Sequence, residues 1–267
     1  MNSLITRAKE LLENKTVNVV IGYEAGPTGV ARPAFITDPA KADSLIYDER
    51  CVQNLAVYLT KHEVKHIGKM AIVATLPVMR SIMMLISEQQ IIAESIVVLG
   101  ISADGSLLDL ADIQVMQGYI AKSDLSNPSK QKELLAELNK LSPEEKFAWW
   151  QKELSKCIKC YACRQACPMC YCTRCSVEVN QPQWIPVQSN THGNMEWHIL
   201  RAMHLAGRCI SCGECGRACP VGIPCHLLTM HLVDKVHDYF KVYAGTSDKM
   251  SSVLSTYEPN DKESFII

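Results

Sequence analysis

A chain of 267 residues with 48% apolar content and a formal net charge of −1 can build one large or two modest cores, and it carries neither a basic footprint for nucleic acid nor an acidic tail. Its thirteen cysteines, all but Cys51 beyond residue 156, are too crowded and too odd in number for a disulfide framework and point to metal. The opening Met1-Asn-Ser-Leu-Ile-Thr-Arg-Ala-Lys-Glu reads as an amphipathic helix, not a secretory signal, and no uncharged run reaches the roughly 18 residues of a membrane span, so a cytoplasmic protein is expected.

Residues 1–125 alternate strand and helix signals. Strands are predicted at 17–23, 70–75 and 95–100, with helices at 51–61 and 78–87, which implies an α/β unit with a mostly parallel sheet. Gly22, Gly26 and Gly29 invite a phosphate-loop reading, but Ala31-Arg32-Pro33 follows where a helix N-terminus is needed, so a glycine-rich turn is expected. Cys51 reads as a core cysteine at a helix start. Residues 126–156 form a helical connector. Ser142-Pro143-Glu144-Glu145 opens its second helix with a capping box, and Leu134, Leu135, Leu138, Trp149 and Trp150 predict that it packs. Residues 157–243 are mostly helical, with helices at 195–206, ending at Gly207, and at 225–243, where Leu228, Leu232, Val236 and Phe240 share a face. The tail, 244–267, is polar with an apolar end at Phe265-Ile-Ile, open to docking on a partner or to remaining loose.

The chemistry lies in two cysteine runs. Cys157-Ile-Lys-Cys160-Tyr-Ala-Cys163-Arg-Gln-Ala-Cys167-Pro168 and Cys209-Ile-Ser-Cys212-Gly-Glu-Cys215-Gly-Arg-Ala-Cys219-Pro220 both read C-x2-C-x2-C-x3-C-P. Three close cysteines on a tight turn reach three iron corners of a 4Fe–4S cube, and the fourth in each run characteristically serves the other cube. The expected ligands are therefore Cys157, Cys160, Cys163 and Cys219 for the first cluster, and Cys209, Cys212, Cys215 and Cys167 for the second. Zinc knuckles share the C-x2-C pairs but seldom run to four cysteines closing on Cys-Pro.

Four cysteines remain: Cys170, Cys172, Cys175 and Cys225. They admit three readings: a third site holding a cluster or zinc, buried thiols packed around the first two, or a swap in which Cys170 replaces Cys167. His192, His198, His204 and His226 lie near the motifs, where packed or surface roles outweigh ligation. Lys156, Lys159, Arg164, Arg208 and Arg217 flank the runs and can counter cluster charge or simply be solvated. No catalytic triad, paired-carboxylate site or Walker loop stands out.

The long helical insert between the runs resembles the α-helical ferredoxin domain of succinate dehydrogenase and heterodisulfide reductase iron–sulfur subunits. Gly22-Tyr23 with Ala31-Arg32-Pro33, the stretch Asp48-Glu-Arg-Cys51-Val-Gln-Asn54-Leu55-Ala-Val-Tyr58-Leu59, Arg80-Ser81 and Glu88-Gln-Gln90 resemble the N-terminal domain of the β subunits of deazaflavin-reducing hydrogenases and formate dehydrogenases. Such subunits tend to carry a Gly-Cys-Asp-Ser-Arg-like segment after the second strand and a cysteine after the third. Here those places read Thr75-Leu76-Pro77-Val78-Met79-Arg80-Ser81 and Gly100-Ile101-Ser102, and the flavin-bearing C-terminal portion is missing.

The resemblance implies an α/β docking domain without its own cofactor, followed by an α-helical ferredoxin-type dicluster domain. It implies an electron-transfer subunit of an anaerobic complex, partnered by a heterodisulfide-reductase-like flavoprotein, a hydrogenase or a formate dehydrogenase, with no nucleic acid and no direct membrane insertion. The alternatives are a flavin-binding β-type dehydrogenase subunit that reduces a diffusible carrier, and a metal or redox sensor.

Overall fold

The computed structural model describes residues 2–179 and 181–249. The apolar end expected at Phe265-Ile-Ile lies outside the described residues. The chain opens with α1 (Asn2–Glu13). Its Leu4, Ala8, Leu11 and Leu12 are buried at helical spacing in the same apolar core as the sheet strands. The strands β1 (Val19–Ala25), β2 (Ala31–Ile36), β3 (Leu45–Ile46), β4 (Met70–Ala74), β5 (Ile96–Ile101) and β6 (Leu107–Leu108) form that sheet in the order β2-β1-β4-β5-β6. Strand β4 is buried at every position and β1 through its first five, as expected for central strands covered on both faces.

The sheet is mixed, which corrects the expectation of a mostly parallel one. Only β1–β4 and β4–β5 are parallel; β2, β3 and β6 pair antiparallel. The cause is the glycine turn after β1. Gly26 N–H donates to the Val30 carbonyl at 2.8 Å and Gly29 sits at φ +78°, so the chain doubles back as a hairpin instead of crossing over. Glu24 and Arg32 face each other across it at 2.8 Å.

A second correction concerns residues 51–61. They form a 3-10 turn at Leu55–Tyr58 followed by the short α2 (His62–Lys65), not one helix. The Asn54 side chain accepts from Ala56 N–H and donates to Ser81 Oγ at 2.9 Å, which closes a local turn in competition with a helix. Cys51 is buried, as expected, but precedes this turn rather than starting a helix. The other predicted elements appear: α3 (Leu76–Ser87), then, beyond α4 (Ile113–Ala121), α5 (Ser129–Lys140) and α6 (Pro143–Ser155). The capping box is present, with Ser142 N–H on Glu145 at 2.9 Å and Glu145 N–H on Ser142 Oγ at 3.2 Å. Leu135 is buried against Leu227 and Met230, with Leu138 partly buried beside it, while Leu134 faces outward.

Among the described residues beyond Leu108 there is no strand. The remaining helices are α7 (Ala162–Gln165), α8 (Thr191–His204), α9 (Glu214–Arg217) and α10 (His226–Phe240). This C-terminal region is not separated from the sheet by solvent. Met169, Leu205, Ile210 and Ala244 belong to the same apolar core as the strands.

Arg80 of α3 fixes the seam. Its buried guanidinium donates to the Ala244 carbonyl at 3.1 and 2.9 Å and to the Ile210 carbonyl, inside the second cysteine run, at 3.1 Å. Gly245 packs so closely on Arg80 that a Cβ there would lie 2.2 Å from the Arg80 carbonyl oxygen. Arg208 forms a half-buried ion pair with Glu88, and Arg217 reaches the Val52 carbonyl at 3.2 Å. No helix among the described residues is long and apolar enough to cross a membrane.

Replacing Arg80 with Met strands two buried carbonyls, each worth roughly 1–3 kcal/mol. The apparent thermal midpoint of the anaerobic holoprotein should fall by about 10 °C, taking roughly 3 °C per kcal/mol for a chain of this size. An unchanged midpoint would show that the seam does not depend on this residue.

Candidate metal centre

The two cysteine runs fold alike. Each follows the end of a long helix, α6 or α8, and each enters a short one, α7 or α9. In the first run Lys159 (φ 51°) and Tyr161 (φ 59°) are left-handed; in the second, Ser211 (φ 61°) and Gly213 (φ 76°) are, at the same two positions after the first cysteine. Three of these four are not glycine, and each left-handed L-residue costs roughly 1–2 kcal/mol. The strain curls each loop so that its N–H groups turn inward. Lys159 N–H lies 3.3 Å from Cys157 Sγ, and Ser211 N–H lies 3.4 Å from Cys209 Sγ. The third cysteine of each run, Cys163 or Cys215, then sits on the short helix, and α7 packs on α9. Gly216 is required where α9 meets α10, because a Cβ there would lie 2.0 Å from the His226 ring.

The packing of α7 on α9 interleaves the runs. A small, mostly enclosed cavity is lined by Cys157, Cys160 and Cys163 from the first run, by Cys219 from the second and by the spare Cys225, under Trp197 and His198. Around the second run, burial and then the neighbouring thiols raise Cys209 and push Cys212 up to about 12, whereas hydrogen bonding to Cys225 pulls Cys215 down to about 7. Cys167 neighbours Cys212 and is itself raised well above the usual thiol value, first by hydrogen bonding to Cys170. All thirteen cysteines are free thiols.

The four spare cysteines go to different places. Cys170 bonds to Cys167, which, with lesser help from Arg201 and Arg208, pulls it down to about 6. Cys225 donates to the Cys215 carbonyl at 3.2 Å and bonds to the thiols of both Cys163 and Cys215, so it stands between the two runs. Cys172 is exposed, and Cys175 packs against the apolar cluster that contains Val177 and Ile185.

Most of the flanking cations have partners of their own. Lys156 pairs with Glu153 at 2.7 Å, Arg164 with Glu178 at 3.1 Å, Arg208 with Glu88, and Arg217 with Glu214. Lys159 Nζ bonds to the Pro186 carbonyl. His192 and His204 are exposed, and His226 is half-buried against α9. His198 is buried edge-on to Trp197; burial, then Arg201 and Lys159, hold it down to about 4, so it is neutral.

Two polar side chains that sequence reasoning passed over hold the first loop. Asn194, fully buried, donates to the Cys157 carbonyl at 2.9 Å, and Arg201, 5% exposed, donates to the Cys163 carbonyl at 2.9 Å. The signal was present as Asn194, Trp197, His198 and Arg201 at three- and four-residue spacing, a polar stripe on the buried face of α8.

Two sets of soft thiolates on strained loops with inward N–H groups fit 4Fe–4S cubes. Comparison with known proteins agrees: residues 153–223 match the 4Fe-4S dicluster domain. This chain carries an iron–sulfur dicluster domain. Two 4Fe–4S clusters are its cofactors. The chain is also similar to the F420-dependent formate dehydrogenase subunit beta of Methanocaldococcus jannaschii, 32% identical over 107 residues, which cover 40% of this chain and 27% of that protein. A second relative, the F420-dependent formate dehydrogenase 1 subunit beta of Methanococcus maripaludis, is 46% identical over 37 residues, 13% of this chain and 10% of that protein. The chain thus spans about a quarter or less of the curated relatives it matches.

The left-handed positions give a test. Gly213→Val puts a branched side chain at φ +76° with its Cβ 3.1 Å from Arg217 Nη1, and should cost roughly 1–2 kcal/mol in the second loop. Tyr161→Gly relieves a similar strain but loses the ring contact with Trp197 at 5.5 Å, and should change stability by less than about 1 kcal/mol. Iron release to a chelator should accelerate for Gly213→Val and stay near wild type for Tyr161→Gly. Equal rates in both variants would contradict this loop geometry.

Proposed function

We propose that this chain is an electron-transfer subunit of a larger anaerobic redox complex. The observation that carries the reading is the cavity in which Cys219 of the second run joins Cys157, Cys160 and Cys163 of the first. On this reading Cys157, Cys160, Cys163 and Cys219 hold the first cluster, and Cys209, Cys212, Cys215 and Cys167 hold the second. The bound clusters supply one-electron oxidation and reduction. The protein supplies thiolates, inward N–H groups and a fixed separation between the two sites, with residues 157–243 forming an α-helical ferredoxin-type domain. The third-site set Cys170, Cys172, Cys175 and Cys225 is not needed for this function, and its dispersal favours packing and charge roles for these thiols.

The two sites differ in access. The second lies against the sheet-bearing unit through Arg80 and Arg217, whereas the first presents exposed Cys160 beside Ile158, 59% exposed. Electrons therefore exchange with a partner's redox centre at the first site, and residues 1–125 serve as a docking unit without a cofactor of their own. A formate dehydrogenase partner is supported by the two relatives; a hydrogenase or a heterodisulfide-reductase-like flavoprotein fits the same chemistry. The relatives also favour a second reading, a β-type subunit that binds flavin and reduces a diffusible carrier.

Anaerobic titration of the reconstituted chain with dithionite separates these readings. The relay predicts uptake of about two electrons per chain, one per cube, with no bound flavin. Cys219→Ala should leave about four irons and take up about one electron. Retained flavin with about two further electrons would establish the carrier-reducing reading instead, and full iron content in Cys219→Ala would overturn the ligand exchange between runs.

A further inference from the structure

We propose that Arg201 is a shared potential-setting residue, one fixed positive charge placed between the two cluster sites that raises the reduction potential of both. The inference rests on the two-cluster reading above and deepens it.

The argument starts from charge. A 4Fe–4S cube with four thiolates is a net anion, and reduction adds one electron without a proton, so a nearby fixed cation favours the reduced state. Of the cations around the runs, Lys156, Arg164, Arg208 and Arg217 are each engaged by a carboxylate, which cancels most of their field at the clusters. Lys159 and Arg80 bond to carbonyls instead, but each faces thiols of one run only, Cys157 for Lys159 and Cys209 with Cys212 for Arg80. Arg201 differs. Its guanidinium donates to the Cys163 carbonyl at 2.9 Å, and its Nε has no partner among the described residues. Its charged neighbours are thiols: Cys163 of the first site, Cys167 and Cys215 of the second, and the spare Cys170. A guanidinium does not give up its proton inside a protein, so this charge is fixed.

Placement is also set by packing. The face of Trp197 lies 6.0 Å from the guanidinium carbon, and α8 runs straight into the second run, so neither the helix nor the side chain is free to swing away. A single charge touching ligands of both sites moves both potentials in the same direction. It raises both without opening a gap between them, so the step from one cluster to the other is not made more uphill.

The test is an EPR-monitored redox titration of the anaerobic full-length holoprotein with Arg201→Met and Arg201→Lys, iron content being measured on the same samples. In Arg201→Met the reduced fraction of each cluster at fixed potential should fall by about tenfold, a midpoint shift of about −59 mV for one electron. In Arg201→Lys, which keeps the charge, both midpoints should stay within about a threefold equivalent of wild type. Unchanged midpoints in Arg201→Met, a shift in only one cluster, or equal shifts in both variants would overturn the proposal. If Arg201→Met cannot hold iron, Arg201→Lys decides alone. Two retained clusters with near-native midpoints keep the charge role, and loss of iron marks Arg201 as a packing element and overturns it. The iron count of the unmodified chain reads the two-cluster model separately, so failure of that model and failure of this inference are distinguishable.

Discussion

Two runs of four cysteines are packed against each other through α7 and α9, with Cys219 of the second run lining a cavity of the first. Thiolates this close repel one another strongly in a medium of low polarity. Burial pushes Cys212 up, while hydrogen bonds from Cys167 and Cys225 pull Cys170 and Cys215 down. Iron replaces that repulsion with coordination, so the bound cluster and the fold of the loops are one equilibrium. The rest of the C-terminal region follows from that constraint. The left-handed residues turn N–H groups toward sulfur, α7 packs on α9 so that Cys219 reaches the first run, and α8 aims polar atoms at the carbonyls of the first loop.

The sheet-bearing unit is tied to the second site rather than appended to it. Arg80 grips the Ile210 carbonyl inside the second run and the Ala244 carbonyl beyond α10, while apolar residues of both units share one core. The chain has one buried site backed by the sheet and one site with an exposed cysteine, an asymmetry suited to passing electrons through rather than storing them.

The cysteine runs, the capping box at Ser142, the buried strands β4 and β5 and the helices α3, α5, α6, α8 and α10 were legible in the sequence, because each is specified locally by spacing, caps or a continuous apolar run. The places where local reading failed have non-local causes. Residues 51–61 have a helical apolar pattern, but Asn54 is engaged by Ser81 from α3, a partner far along the chain. The sheet was misjudged because the glycine turn at Gly26–Gly29 converts a crossover into a hairpin. Arg201 and Asn194 were overlooked because a buried polar residue on an amphipathic helix is meaningful only once the carbonyls it serves are known. Cysteine count alone cannot distribute the spare thiols; the fold does so by sending Cys170 to Cys167 and Cys225 between Cys163 and Cys215.

The measurement that bears most directly on the two cubes is quantification of iron, acid-labile sulfide and zinc on the anaerobically isolated full-length chain, with a Mössbauer spectrum of the same sample. The account predicts about eight irons and eight sulfides per chain, no stoichiometric zinc, and a spectrum made up entirely of 4Fe–4S iron. Fewer than about six irons, or zinc in place of iron at either run, would contradict it.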